Sequence, residues 1–219
     1  MSVKVKVCGV RTPAILDTAS EAGADFVGLV FFANSPRHVS LEEARGLAQA
    51  ARGRIGTVAV LVDPDDALIE RVVETVGPDL LQLHGSETPE RVASIKARAA
   101  VPVMEAIPVA EASDVADAEA YAGIADYVLF DAKASPGATL PGGNGVPFDW
   151  RALTAFRQPF ALSGGLNAAN VSEAVSLTGA SLVDVSSGVE TAPGVKDADL
   201  VRTFIQAARS AAQQPAKAS

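Results

Sequence analysis

The sequence predicts a single (β/α)8 barrel. Eight short runs rich in Val, Leu and Phe alternate with eight amphipathic stretches along 219 residues. Parallel strands joined by helical crossovers produce that alternation, and eight such units close into a ring. An open, doubly wound sheet is the competing arrangement. The unit count favours the ring, because no element is left over to build a second layer.

The strand-like runs are 3–8, 26–32, 57–62, 80–84, 101–107, 127–131, 160–163 and 182–186. The helix-like stretches are 13–22, 41–51, 65–76, 89–99, 111–122, 150–156, 168–178 and 197–212. Ser40 before Leu41-Glu42-Glu43 suits an N-cap, and so does Asn167 before Ala168-Ala169-Asn170. Thr88-Pro89 puts proline at the first helical position. Gly77 and Gly179 follow helical stretches, where a left-handed residue ends a helix. No linker divides the chain. The barrel is expected over 1–212, with 213–219 as a polar tail. The irregular stretch 132–147 holds four glycines, and a loop that long inside a compact domain points to function.

Composition excludes several classes. Twenty-six acidic residues against eighteen basic ones give a net charge of −8. Such a surface does not suit nucleic acid, whose phosphates need clustered Lys and Arg. No apolar run approaches the length of a membrane span. One cysteine fits a reducing compartment, so a cytoplasmic location is expected. Two histidines, His38 and His84, without further Cys or His partners make a zinc site a poor expectation. The partner left is a small molecule, and a few local positive groups suffice for an anionic one.

In a barrel, chemistry gathers where strands end and loops begin. Strand one ends in Cys8, strand four in His84, strand six in Asp131 and strand eight in Asp184-Val185-Ser186-Ser187. Ser163-Gly164-Gly165 and Ser186-Ser187-Gly188 close adjacent strands, and adjacent seventh and eighth loops often cradle a phosphate. Glycines there also serve simple tight turns. Gly164-Gly165-Leu166-Asn167 is expected to lead directly into a helix, whose N-terminus adds positive potential. Asp131 suits a general acid if burial raises its pKa; the plainer alternative is an ion pair with Lys133. Arg37 follows Ser35-Pro36 on a stiffened loop and suits bidentate binding of a carboxylate or phosphate. A turn arginine at the surface is the plainer alternative. Cys8 reads either as buried filler or as a working thiol. Strand alternation puts Lys4, Lys6 and Cys8 on one face, so a buried Lys6 is expected to favour a Cys8 thiolate.

Taken in order, these segments resemble the phosphoribosylanthranilate isomerase family. They are Lys6-Val7-Cys8-Gly9, Ser35-Pro36-Arg37, Gln82-Leu83-His84-Gly85, Phe130-Asp131, Gly142-Gly143-Asn144-Gly145, Ser163-Gly164-Gly165-Leu166-Asn167 and Asp184-Val185-Ser186-Ser187-Gly188-Val189-Glu190. The last is the most specific, and the glycine pairs alone are not. The resemblance implies an Amadori rearrangement of N-(5-phosphoribosyl)anthranilate to an aminoketose in tryptophan biosynthesis, by an aldose–ketose isomerase without cofactor or metal. It assigns Cys8 as general base and Asp131 as general acid. Arg37 would hold the anthranilate carboxylate. Gly143, Gly165, Ser186 and Ser187 would surround the phosphate, with Asp184 and His84 orienting sugar hydroxyls or the ring. Monomer and homodimer both fit.

Three departures stand out. Ala132 replaces the usual Ser or Thr after Asp131, Asn144 replaces a Thr, and Ala33-Asn34 precede Ser35 where the pattern is loose. They bear on loop closure and rate rather than on the acid or the base. A related histidine-pathway isomerase has aspartates at strands one and five, where this chain has Cys8 and Met104-Glu105. Phosphate epimerases need metal ligands that this chain lacks. A non-catalytic phosphate sensor is the alternative from another class, disfavoured because acid, base and arginine are all retained.

Overall fold

The computed structural model describes residues 3–133 and 148–211. Gly143, Asn144 and the expected tail at 213–219 lie outside the described residues. Eight parallel strands pair in sequence order and close on themselves, β8 joining β1. They are β1 (Lys4–Cys8), β2 (Phe26–Phe31), β3 (Gly56–Leu61), β4 (Leu80–Leu83), β5 (Val103–Val109), β6 (Tyr127–Ala132), β7 (Ala161–Leu162) and β8 (Leu182–Val185). The outer ring contains α1 (Pro13–Glu21), α2 (Leu41–Ala51), α3 (Asp66–Val76), α4 (Pro89–Ala99), α5 (Ala112–Ala116), α6 (Val171–Thr178) and α7 (Ala198–Ala211). No helix among the described residues is long and apolar enough to cross a membrane.

Several boundaries follow from caps. Ser40 and Glu43 form a reciprocal capping box at the start of α2. Thr88 caps α4, with Pro89 in its first turn. Gly77 and Gly179 end α3 and α6 in the left-handed conformation. Ala100 takes the same conformation after α4 at φ 52° without glycine's freedom.

Three expected helices differ. The 111–122 stretch divides into short α5 and a 3-10 turn over Asp117–Tyr121, from which the Tyr121 hydroxyl donates to the Glu87 carbonyl. The 150–156 stretch is only a 3-10 turn at Trp150–Leu153; Phe156 packs edge-on against Phe130 and Phe160 instead. Helix α6 starts at Val171, later than expected, because Asn167 and Asn170 fold the preceding chain into side-chain-bonded turns. A small antiparallel hairpin went unforeseen: β9 (Glu190–Ala192) and β10 (Val195–Lys196) lie between β8 and α7.

Two apolar layers hold the barrel. Val5, Val7, Leu29 and Phe130 join the larger core between sheet and helices. The barrel interior is a second cluster that includes Cys8, Val30, Val60, Leu80, Met104 and Leu129. Alternation along each strand therefore sends Lys6 and Cys8, Gln82 and His84, and Leu129 and Asp131 inward.

Candidate active site

An open cavity of about 690 Å³ lies at the C-terminal ends of the strands. Cys8, Arg37, His84 and Asp131 line it, as do Gly165, Asp184, Ser186 and Ser187. Every site residue expected from sequence that falls among the described residues thus reaches one cavity. The ring order gives them an arrangement. Reading round from β6 to β1 come Asp131, the loop with Gly165, the loop with Ser186 and Ser187, then Cys8.

The thiol sits above a buried cation. Lys6 is fully buried, and its Nζ donates to Asp184 Oδ2 at 2.9 Å. Strand β2 makes room with a glycine. A Cβ at Gly28 would lie 2.9 Å from Cys8 Sγ and 3.3 Å from Lys6 Nζ. Burial disfavours a charged Lys6, but the Asp184 carboxylate and the nearby thiol overcome this, so its pKa lies above the ordinary lysine value. The expected Lys6 effect on Cys8 exists but does not win. Burial pushes the Cys8 thiol up and Asp184 adds to it, so the thiol lies above its ordinary value despite Lys6 and Lys196. Without a bound ligand, the site therefore favours the Cys8 thiol over the thiolate.

Asp131 does not pair with Lys133, which reaches Asp114 instead at 3.2 Å. The partner of Asp131 is His84, with Nε2 at 3.1 Å from Oδ2. The other oxygen, Oδ1, accepts the Ala132 N–H at 2.9 Å. Behind His84, the Gln82 amide Nε2 lies 3.2 Å from Nδ1. Gln82 was not foreseen as a site residue. Its place two residues before His84 on the same inward face was the available signal.

Arg37 is buried, not a surface turn residue. Its Nε and Nη2 donate to the two oxygens of Glu190, each at 2.8 Å. Lys196 Nζ shares that carboxylate at 2.7 Å and also donates to the Ser186 carbonyl at 3.1 Å. Burial alone would raise Glu190, but Arg37 and Lys196 bring it below the ordinary carboxylate value. The same burial lowers Lys196, with Glu190 opposing. Arg37 and Lys196 thus share the Glu190 carboxylate beside the cavity. The Arg37 stem packs on Gly9, where a Cβ would lie 2.7 Å from Arg37 Cδ. Gly194, at the hairpin turn with φ 80°, packs directly on the Pro36 carbonyl. Sequence reasoning named Glu190 only as the last residue of a motif.

The seventh and eighth loops interlock. A Cβ at Gly188 would collide with the Leu166 carbonyl oxygen, and Gly164 leaves no space against Ala132. Asn170 accepts the Asn167 N–H and donates to the Gly165 carbonyl, which fixes the turn. Gly165 is therefore not at a helix start as expected, since α6 begins beyond Asn170. What remains is a pair of glycine-shaped loops on adjacent strands, the usual phosphate position in barrels.

Residues 5–207 match the family described as N-(5'phosphoribosyl)anthranilate (PRA) isomerase. An N-(5'-phosphoribosyl)anthranilate isomerase of Rhodopseudomonas palustris strain BisA53 is 57% identical over 212 residues, covering 96% of this chain and 97% of that one. One of Paramagnetospirillum magneticum is 53% identical, covering 95% and 98%. Among solved structures, the phosphoribosyl anthranilate isomerase of Thermotoga maritima superposes with a TM-score of 0.86 at 34% identity, covering 95% of this chain and 99% of that one. A phosphoribosyl anthranilate isomerase in complex with reduced 1-(o-carboxyphenylamino)-1-deoxyribulose 5-phosphate gives 0.83 at 33%, with the same coverage. Monomers of the dimeric phosphoribosylanthranilate isomerase of Thermotoga maritima give 0.83 at 34%, again covering 95% and 99%. The chain belongs to the N-(5'-phosphoribosyl)anthranilate isomerase family.

Proposed function

We propose that Cys8 and Asp131 carry out this family's isomerisation as general base and general acid. The reaction converts N-(5-phosphoribosyl)anthranilate to 1-(2-carboxyphenylamino)-1-deoxyribulose 5-phosphate in tryptophan biosynthesis. The ring order of the cavity carries the assignment. A phosphate bound at Gly165, Ser186 and Ser187 lies on the arc between β6 and β1. The sugar that hangs from it then has Asp131 on one flank and Cys8 on the other. Gly143 belongs to the same proposed phosphate set and lies outside the described residues.

Asp131 gives its proton to the furanose ring oxygen. The C1′–O bond breaks as the anilino nitrogen's lone pair forms an iminium. Cys8 then releases its thiol proton to solvent through the open cavity and as thiolate takes the C2′ proton, and the electron pair neutralises the iminium to an enolamine. Loss of the enol proton and protonation at C1′ yield the ketone, so protons balance over the cycle. The raised thiol fits this order of events. Ring opening creates a cation next to C2′, inside a low-dielectric cavity, and that cation favours the thiolate when it is needed. Arg37, which lines the cavity, holds the anthranilate carboxylate. Asp184 lines the cavity, and its Oδ1 is buried without a partner among the described residues. It is the acceptor for a sugar hydroxyl or the anilino N–H, and His84 borders the same space.

Loss of anthranilate-type substrate fluorescence measures turnover. Cys8→Ala and Asp131→Asn should each lower kcat by about 10²–10⁴-fold, the range for a positioned acid or base. Turnover by the wild type no faster than by a Cys8→Ala, Asp131→Ala double variant would refute the assignment and favour a binding protein.

A further inference from the structure

We infer that His84 and Asp131 share the proton that the acid delivers, and that the Gln82 amide turns over as this proton is loaded and spent. The inference rests on Asp131 as the acid. It extends the role of His84 beyond contact with substrate.

The hydrogen-bond geometry describes the spent state. Asp131 Oδ1 accepts the Ala132 N–H, and Oδ2 lies 3.1 Å from His84 Nε2. That leaves the proton of a neutral imidazole on Nε2, and Nδ1 accepts from the Gln82 amide at 3.2 Å. A carboxylate so engaged has nothing to give to a ring oxygen.

Adding one proton changes what Gln82 must do. The proton lies between Asp131 Oδ2 and His84 Nε2, as carboxylic acid with imidazole or as carboxylate with imidazolium. In both forms His84 Nδ1 carries a hydrogen, so the Gln82 NH2 can no longer face it. A half-turn of the amide presents Oε1, which accepts from Nδ1–H. The amide's two ends have nearly the same shape, so the turn displaces little. The far end does not resist it. Gln82 is 1% exposed, and its Oε1 is buried with no hydrogen-bond partner among the described residues. Among the described residues the amide is thus held by His84 alone and follows its protonation.

Exposure gives the pair a direction. The Asp131 side chain is 4% exposed, and that of His84 is 18%. His84 is the member that meets solvent, and it reloads Asp131 after each proton is delivered. The other charged groups facing the pair are few. Asp184 acts on both from β8 and is itself held by Lys6; Cys8 and Arg37 line the same cavity.

The chain has only two histidines, so nitrogen-15 NMR resolves His84, assigned by its loss in His84→Asn. In the wild type without substrate, the ring nitrogens should report the Nε2–H tautomer, with Nδ1 facing the Gln82 amide; an Nδ1–H tautomer would count against the spent state. Two substitutions at Gln82 should act in opposite directions. Gln82→Met removes the Oε1 acceptor of the loaded state and should shift the basic limb of the kcat profile down by about one pH unit. Gln82→Glu supplies a permanent acceptor and should shift it up. KM should stay within about twofold in both, which a merely structural role would not produce. Unchanged kcat and pH profile in His84→Asn, alongside a crippled Asp131→Asn, would overturn the shared proton and leave the acid assignment standing. An active Asp131→Asn would instead overturn the acid assignment.

Discussion

Glu105 provides a measurable test of how burial acts in this barrel. It lies on β5 with 2% exposure and faces the helix layer beside Val103 and Ile107. Its Oε2 has no partner among the described residues. Burial pushes its pKa to about 9, and the Glu87 and Asp63 carboxylates add to the rise. In the unfolded chain the same carboxyl titrates near 4.3. Between those values the folded state keeps a proton that the unfolded state releases. This contribution is complete below about pH 4.3 and is lost as pH rises toward 9. The loss is about 1.4 kcal/mol per pH unit, so about 3 kcal/mol between pH 6 and 8. That is a large share of a typical domain's stability. Glu105→Gln keeps the shape and removes the titration. Urea unfolding of both proteins at pH 6, 7 and 8 should show the variant gaining about 3 kcal/mol on the wild type across that range. A difference that stays constant within about 0.5 kcal/mol, or grows toward low pH, would refute the reasoning.

Other expectations follow from the same structure. Cys8 is the sole cysteine, so alkylation of the free enzyme reports one thiol; its rate should rise with pH with a midpoint above about 9, and a midpoint at or below about 8.5 would refute the burial argument. Lys196→Met should move that midpoint higher still, as Lys196 is one of two cations that favour the thiolate. Glu190→Gln leaves Arg37 and Lys196 without their shared carboxylate and should cost about 3 kcal/mol in urea unfolding while raising KM. Ala100→Gly relieves a left-handed residue at an exposed helix end and should stabilise by about 0.5–1 kcal/mol by the same assay.

The barrel was legible because its signals are local. Alternation within β1 placed Lys6 under Cys8, and caps such as Ser40 and Thr88 fixed helix starts. The residues that line the cavity were legible because barrel chemistry collects at strand ends, so a polar residue closing an apolar run stands out. What sequence could not supply was partnership across the chain. Asp184 binds Lys6 from 178 residues away, and Glu190 binds Arg37 from 153 residues away. Asp131 could be matched to Lys133 on proximity in sequence, yet His84 from β4 takes that place. The division at Asp117 and the late start of α6 have the same origin. Tyr121 reaches the Glu87 carbonyl, and Asn170 reaches back to Gly165, contacts that outweigh helical pattern. The hairpin after β8 escaped notice because its strands are only three and two residues long.

That hairpin bears on how the enzyme can be redesigned. Glu190 grips the arginine assigned to the substrate's aromatic acid, and Lys196 on the same hairpin lends charge to the thiol. Recognition and reactivity are therefore inherited together on one insert between the last strand and the last helix. Retargeting the pocket to a substrate without a carboxylate by replacing this insert would disarm the base as well. Changes confined to Val30, Phe32 and Val62, which border the cavity outside the hairpin, would separate the two properties. The barrel beneath could stay as it is.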